Sequence, residues 1–141
     1  MAADALIDTG AILAILNKAD PWHPSCVATV RQLRLPLLTS EAVLTEVFHM
    51  VGGSPFREEE TWQFIRSGTI ALTSIQHSEI PSIHALMTRY ADLPMDFADA
   101  TLVYLAARES LETVLTIDQT DYSLYRIAGK RRFRVLPVER P

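Results

Sequence analysis

Two chemistries compete for the segment ALIDTGA, residues 5 to 11, in which an apolar run delivers Asp8 followed by Thr9 and Gly10. As half of a carboxylate dyad sharing one proton, Asp8 would activate water with no metal. At the end of a first strand in an α/β fold, it would offer a carboxylate oxygen to a divalent cation instead. The dyad needs a second Asp-Thr-Gly, which the chain lacks, and a largely β architecture with a glycine-bearing flap. The chain has only five glycines, and good helix formers follow Asp8. The cation reading is the one that the remaining residues can serve.

Further carboxylates stand where they could join Asp8. In MDFADATLVYLAARES, Asp99 shares a helical face with Leu102, Val103 and Ala106 at i, i+3, i+4 and i+7. A carboxylate on an apolar face must be hydrogen-bonded, neutralised or paired with a cation. Asp96, three residues earlier, reads first as the helix N-cap. In SEAVLTEVFHMV, Ser40 reads as an N-cap, and Val43, Val47, Met50 and Val51 mark a buried stripe. Glu46 lies at the edge of that stripe, where a site residue and a solvated residue are equally good readings. The run VLTID places Thr116 and Asp118 on one side of a strand, although Asp118 taken alone is as readily a turn residue.

Suppose Asp8, Glu46, Asp99 and Asp118 converge. Two like charges about 4 Å apart repel by roughly 4 kcal/mol at an effective dielectric of about 20. Either protons are retained or a hard divalent cation compensates the charge. Cys26 is the one cysteine, and His23, His49, His77 and His84 are too scattered to complete a zinc ligand set. Oxygen ligands alone point to Mg²⁺ or Mn²⁺. Such a site suits phosphodiester hydrolysis, and an acidic pocket can then bind an acidic polymer through the cation.

These acids need a scaffold that gathers strand ends and helix N-termini. Residues 5 to 8, 36 to 39, 69 to 74, 113 to 117 and 133 to 138 are short apolar runs with branched residues. Between them lie helical patterns: GAILAILNK, HPSCVATVRQL, SEAVLTEVFHMV, FREEETWQFIRS, SEIPSIHALMTRY, MDFADATLVYLAARES and DYSLYRIAG. Continuous apolar strands separated by helices predict a central five-stranded, mainly parallel sheet in a three-layer α/β/α sandwich. In such sheets ligands bind beyond the carboxyl ends of the strands, where Asp8 and Asp118 fall. Trp62, Phe64 and Ile65 read as core or dimer-contact residues, and Glu58, Glu59 and Glu60 as a solvated turn.

At 141 residues, 48% hydrophobic and 21% charged, residues 1–141 read as one compact domain with no repeat or linker. The apolar runs are too short to span a bilayer, and MAADALID lacks a signal-type core, so a cytoplasmic protein with no membrane partner is expected. A net charge of −4 argues against coating nucleic acid electrostatically. The one dense basic cluster is Lys130, Arg131, Arg132 and Arg134. It reads either as a charged edge that prevents strand aggregation or as a rim contacting phosphate or a partner.

The chain resembles the PIN-domain ribonucleases, and more narrowly the VapC-type toxins of toxin-antitoxin modules. LIDTGAILAIL is similar to the family's opening strand, with its first acid at Asp8 and a hydroxyl at Thr9. LLTSEAVLTEVFHMV is similar to the segment carrying the second acid, Glu46; DFADATLVYLAAR to the third, Asp99; and TIDQTDYSLYR to the last, with Thr116 and Asp118. Asp96 competes with Asp99 for the third role, and Asp121 with Asp118 for the fourth. The resemblance implies a PIN-like fold and a Mg²⁺- or Mn²⁺-dependent endoribonuclease acting on single-stranded RNA. It further implies a homodimer restrained by a cognate antitoxin whose tail occupies the active-site groove. Asp8 and Asp99 would hold the cation, Asp118 would complete or bridge its shell, and Glu46 would ligate it or act as general base. Thr9 and Thr116 would fix the carboxylates.

The rival readings are a non-catalytic interaction module on the same fold and a free-standing RNA-processing nuclease. A phospho-acceptor receiver is a weaker rival, because TIALTSIQ ends without an acceptor Asp and VLTID offers no Lys.

Overall fold

The computed structural model describes residues 3–141. In chain order its strands are β1 (Leu6–Ile7), β2 (Leu37–Thr39), β3 (Ile70–Leu72), β4 (Thr113–Leu115), β5 (Arg126–Ile127), β6 (Arg131–Arg132) and β7 (Arg134–Leu136). Five of them form one sheet in the order β3-β2-β1-β4-β7. Every pairing in it is parallel: Leu6 pairs with Leu38 on one side and Val114 on the other, Leu38 with Ala71, and Val114 with Val135. Successive strand side chains point to opposite faces, yet Leu6 and Ile7 are both fully buried. Both faces of the sheet are therefore covered, which makes it the middle layer of an α/β/α sandwich, as the apolar runs predict.

The covering helices are α1 (Thr9–Leu16), α2 (His23–Val30), α3 (Glu41–Val51), α4 (Pro55–Arg66), α5 (Ile80–Arg89), α6 (Phe97–Arg108) and α7 (Gln119–Leu124). Their starts are written locally. Asp8 caps α1 through the Ala11 N–H at 3.0 Å, Ser40 caps α3 through Val43, Ser54 caps α4 ahead of Pro55, and Asp96 caps α6. Helix α6 packs against α3, α5 and β5, and Ala100, Leu102, Val103, Leu105 and Ala106 on it are all buried. Each large apolar side chain removed from water there contributes roughly 1.5–3 kcal/mol. Its far end is fastened by Arg108, which donates to Thr73 Oγ1 at 2.8 Å, to Ser74 O at 2.9 Å and to Glu79 at 3.0 Å. That anchorage fixes where the helix N-terminus, with Asp96 and Asp99, meets the sheet.

Two expectations, on Met50 and on DYSLYRIAG, need correction. Met50 does not belong to the buried stripe of α3: it is 62% exposed, and the stripe runs through Val43, Val47 and Val51 at strict fourfold spacing. Glu58, Glu59 and Glu60 lie in the first turns of α4, within the predicted helical pattern, and Ser54 and Pro55 start the helix before them. Trp62 on that helix is half exposed and rests against Phe48, ring centroids 4.8 Å apart. The segment DYSLYRIAG is only partly helical. Tyr125 turns extended, and Arg126 and Ile127 enter an antiparallel pairing with Arg132 and Arg131. The connecting turn holds Ala128 at φ 52° and Gly129 at φ 72°, closed by Lys130 N–H donating to Ile127 O at 3.0 Å. Two left-handed residues in succession suit a hairpin turn, which helical periodicity does not reveal.

Candidate active site

Strand β1 ends by delivering Asp8 to the carboxyl edge of the sheet, and α1 starts immediately after it. Both Asp8 oxygens are engaged: Oδ1 accepts from the Ala11 N–H at 3.0 Å, and Oδ2 from the Thr116 hydroxyl. Asp8 is only 3% exposed. Burial pushes its pKa from 3.8 up to about 7 against the pull of the Thr116 and Ala11 hydrogen bonds, with the charges of Asp118 and Glu46 adding to the rise.

Thr116 follows β4, the strand that pairs with β1, so the register places its hydroxyl beside Asp8 although 108 residues separate them. The same hydroxyl oxygen accepts from the Asp118 N–H at 2.9 Å. Because β4 ends at Leu115, strand alternation does not extend to Asp118; it is exposed and stands just before α7. Its carboxyl is raised first by partial burial, then by Asp121 and Asp96.

Gly10 allows the close approach between these two segments. A Cβ there would sit 2.7 Å from Ile117 Cγ1 and 2.8 Å from Cδ1. Any larger residue would push α1 away from the loop that carries Thr116 and Asp118.

Glu46 projects from α3 and accepts from the Thr9 hydroxyl at 2.6 Å. Its carboxyl is raised mainly by burial, opposed by Thr9, with the neighbouring acids Asp96 and Asp118 adding to the rise. Asp96 accepts from the Asp99 N–H at 2.8 Å, which is the capping role that the sequence suggests. It is also a member of the acid group, because its carboxyl raises those of Glu46, Asp99 and Asp118. Asp99 is pushed up to about 8, first by burial, then by Asp96 and Asp8.

Asp8, Glu46, Asp96, Asp99 and Asp118 thus influence one another from four separate elements, and Asp121 touches the group through Asp118. Among the described residues, no three His, Cys, Asp or Glu side chains are closed up to the spacing of a metal cage. The acids act on one another across the site rather than at a single point. Beside them opens a cleft of about 500 Å³ bordered by Thr9, Gly10, Glu46, His49, Met50 and Asp118. A second groove of about 400 Å³, lined by Leu13, Leu16, Met50 and Phe56 together with Lys18, Asp20, Arg57 and Glu60, shares Met50 with the first.

Sequence reasoning missed Tyr122. Its hydroxyl donates to Asp99 Oδ1 at 3.2 Å, and its ring is fully buried against Tyr125 and Phe133. The available signal was its position one helical turn after Asp118. The Ser40–Thr101 hydroxyl contact at 2.8 Å, which joins the starts of α3 and α6, left no such signal.

No protein-family model matches the chain. It is 30% identical over 134 residues to the curated Ribonuclease VapC26 of Mycobacterium tuberculosis, with 94% of this chain and 99% of the relative covered. The fold is shared with VapC20 of the same organism, a sarcin-ricin loop cleaving toxin (TM-score 0.69, 16% identity, 79% of this chain and 87% of that one). It is shared with a toxin-antitoxin complex from Klebsiella pneumoniae (TM-score 0.67, 21% identity, 98% of this chain and 100% of that one). A third likeness is to VapBC2 from Rickettsia felis bound to a DNA fragment from its promoter (TM-score 0.65, 15% identity, 94% of this chain and 98% of that one). A sequence match spanning nearly both chains, on a fold with these acids at the edge of its sheet, leads to one conclusion: the chain belongs to the VapC family of PIN-domain ribonucleases.

Proposed function

We propose that this chain, as one PIN-like nuclease domain, is a Mg²⁺- or Mn²⁺-dependent endoribonuclease that hydrolyses single-stranded RNA, the toxin of a toxin-antitoxin pair. The observation that carries the reading is the clustering of carboxyls whose burial and mutual repulsion raise Asp8 to about 7 and Asp99 to about 8. Near neutral pH the group is poised between keeping protons and exchanging them for a cation. The donor set fits a hard cation: every candidate ligand is a carboxylate, while His23 is engaged with Ala14 O at 2.8 Å and Cys26 is buried.

In this reading Asp8 and Asp99 hold the cation, with Asp118 completing the set. When bound, a divalent cation supplies Lewis acidity toward the phosphodiester and removes the repulsion among the acids. Glu46, steered by the Thr9 hydroxyl, takes the proton of the attacking water. Thr116 holds one Asp8 oxygen and the Asp118 backbone at once, and Tyr122 orients Asp99. Asp96 keeps α6 in place and adds negative charge.

The partner in this reading is a cognate antitoxin. Phe56 and Met50, 73% and 62% exposed, are apolar points on a groove of mixed lining that meets the acidic cleft at Met50. A segment with apolar residues followed by a basic tail would match that sequence of surfaces. The homodimer and the cytoplasmic location implied by the resemblance belong to the same reading.

The test is cleavage of single-stranded RNA by purified protein with Mg²⁺ or Mn²⁺. Asp8→Asn and Asp99→Asn each abolish cleavage while circular dichroism stays native, and Mn²⁺ binding by isothermal titration falls with them. Cleavage retained in both variants overturns the assignment. An unmodified protein that binds no Mn²⁺ favours the interaction module.

A further inference from the structure

The residues from Arg126 to Arg134 carry five of the 13 cations of the chain and no acid. Without those five, the formal net charge of −4 becomes −9 on everything else. The structure gathers this charge on one device, the β5–β6 hairpin and the start of β7. Phe133, between β6 and β7, is 7% exposed, whereas Lys130, Arg131, Arg132 and Arg134 are all exposed. The buried phenyl ring fastens the segment and leaves Arg132 and Arg134 outside.

A sixth cation comes from α5. Gly129 has no Cβ, and one built there would lie 2.8 Å from Arg89 Nη1, so the Arg89 guanidinium rests against the tip of the hairpin. Arg89 is also 5.7 Å from the Tyr90 ring centroid, which holds it by a cation–π contact.

Few of these cations are spent on the fold. Arg126 donates to the carbonyls of Ser123, Leu124 and Tyr125, closing the end of α7. Arg131 approaches Glu112 at 3.9 Å, a contact more than half exposed at both ends and worth little. Among the described residues, Lys130, Arg132 and Arg134 make no ion pair. Protecting strand edges accounts for Arg131 and Arg132 on β6 and Arg134 on β7, but not for Lys130 in the turn or Arg89 on α5.

RNA affinity comes mostly from phosphates meeting Lys and Arg, and the acid cleft repels phosphate wherever no cation intervenes. Strand register places Arg134 beside Thr113, three residues before Thr116, which is about 10 Å along the sheet. The two places lie at opposite ends of β7, Arg134 at its start and the acids beyond its carboxyl end, so RNA that meets both must run along β7, which is the edge strand of the sheet. We propose that the Lys130–Arg134 hairpin, with Arg89 laid against Gly129, is a phosphate-binding surface that holds the backbone of the single-stranded RNA substrate away from the point of cleavage. It rests on the ribonuclease reading of the acid site.

The experiment compares the unmodified protein with the triple variant Lys130→Ala, Arg132→Ala, Arg134→Ala, and with a charge-keeping Arg132→Lys, Arg134→Lys control. Dissociation constants for a labelled single-stranded RNA are measured across a salt series, together with kcat and KM on that RNA and on an oligonucleotide too short to leave the acid cleft. The alanine variant is expected to bind the longer RNA more weakly. Its slope of log affinity against log salt should shrink by about 2, from roughly 0.7 per lost phosphate contact. KM rises on the longer RNA alone, kcat at saturation is unchanged, and the lysine control keeps the slope. Equal slope and KM in the unmodified and alanine proteins overturn the proposal, with or without a loss of duplex DNA binding by a toxin-antitoxin complex. Should the unmodified protein cleave neither RNA, the ribonuclease reading itself fails, and the proposal with it; active protein with an unchanged slope sinks the hairpin alone.

Discussion

The Thr9 hydroxyl donates to Glu46 Oε1 at 2.6 Å, joining the first residue of α1 to the middle of α3 across 37 positions of sequence. This bond pulls the Glu46 carboxyl downward against burial and the neighbouring acids. Thr9→Val removes that pull, so Glu46 releases its proton at higher pH. The acid limb of the cleavage profile should move upward. Thr9→Ser keeps the donor and should keep the profile. A Thr9→Val profile that overlays the original removes Thr9 from the site.

Stability in the absence of divalent cations should fall as pH rises. Asp8 and Asp99 go from 3.8 in the unfolded chain to about 7 and about 8 in the folded one. Below the unfolded value both states are protonated and the groups contribute nothing. Between that value and the folded ones the native state holds extra protons, so each rise in pH favours unfolding until both carboxyls have ionised. Thermal melts in chelator should show a lower Tm at about pH 8 than at about pH 5. Asp8→Asn, which keeps the capping oxygen, should flatten that slope and raise the Tm at the higher pH. Added Mn²⁺ should flatten it in the unmodified protein.

Gly10→Ala should cost about 1–3 kcal/mol in urea unfolding, the usual penalty for overpacking, because its Cβ meets Ile117 at 2.7 Å. Ile117 lies between Thr116 and Asp118, so the displacement also disturbs the Thr116–Asp118 contact and lowers cleavage. Ile117→Ala in the same chain should recover part of both losses. A single Gly10→Ala variant with native stability would show that the loop yields freely.

Two buried tyrosines should respond in opposite ways to loss of their hydroxyls. Tyr122 OH donates to Asp99, whereas Tyr125 OH is buried with no hydrogen-bond partner among the described residues. Tyr122→Phe should destabilise by about 1 kcal/mol and reduce cleavage, since Asp99 loses its orienting contact. Tyr125→Phe should be neutral or stabilising, because it removes an unsatisfied polar atom and keeps the ring packing. Chemical unfolding of both variants decides the contrast.

The fold was legible because its signals are local. Each of the five apolar runs contains one of the sheet strands, and the caps at Ser40 and Asp96 sit where the sequence places them. The hairpin after α7 was hidden, since a left-handed Ala128 is set by the turn and not by any pattern of apolar residues. Met50 fitted the helical period of α3 and yet faces outward, because period alone does not say how wide the covered stripe is.

What the chain determined by itself is the order of strands and helices, and with it the delivery of Asp8, Asp99 and Asp118 to strand ends and helix starts. Those choices depend on residues a few positions apart. Only the tertiary structure decided that Asp96 belongs among the acids, that Thr116 secures Asp8, and that Tyr122 reaches Asp99. The physical reason is that desolvation and Coulomb repulsion act through space. Their strength is set by distances between segments as many as 108 residues apart, which no local pattern contains.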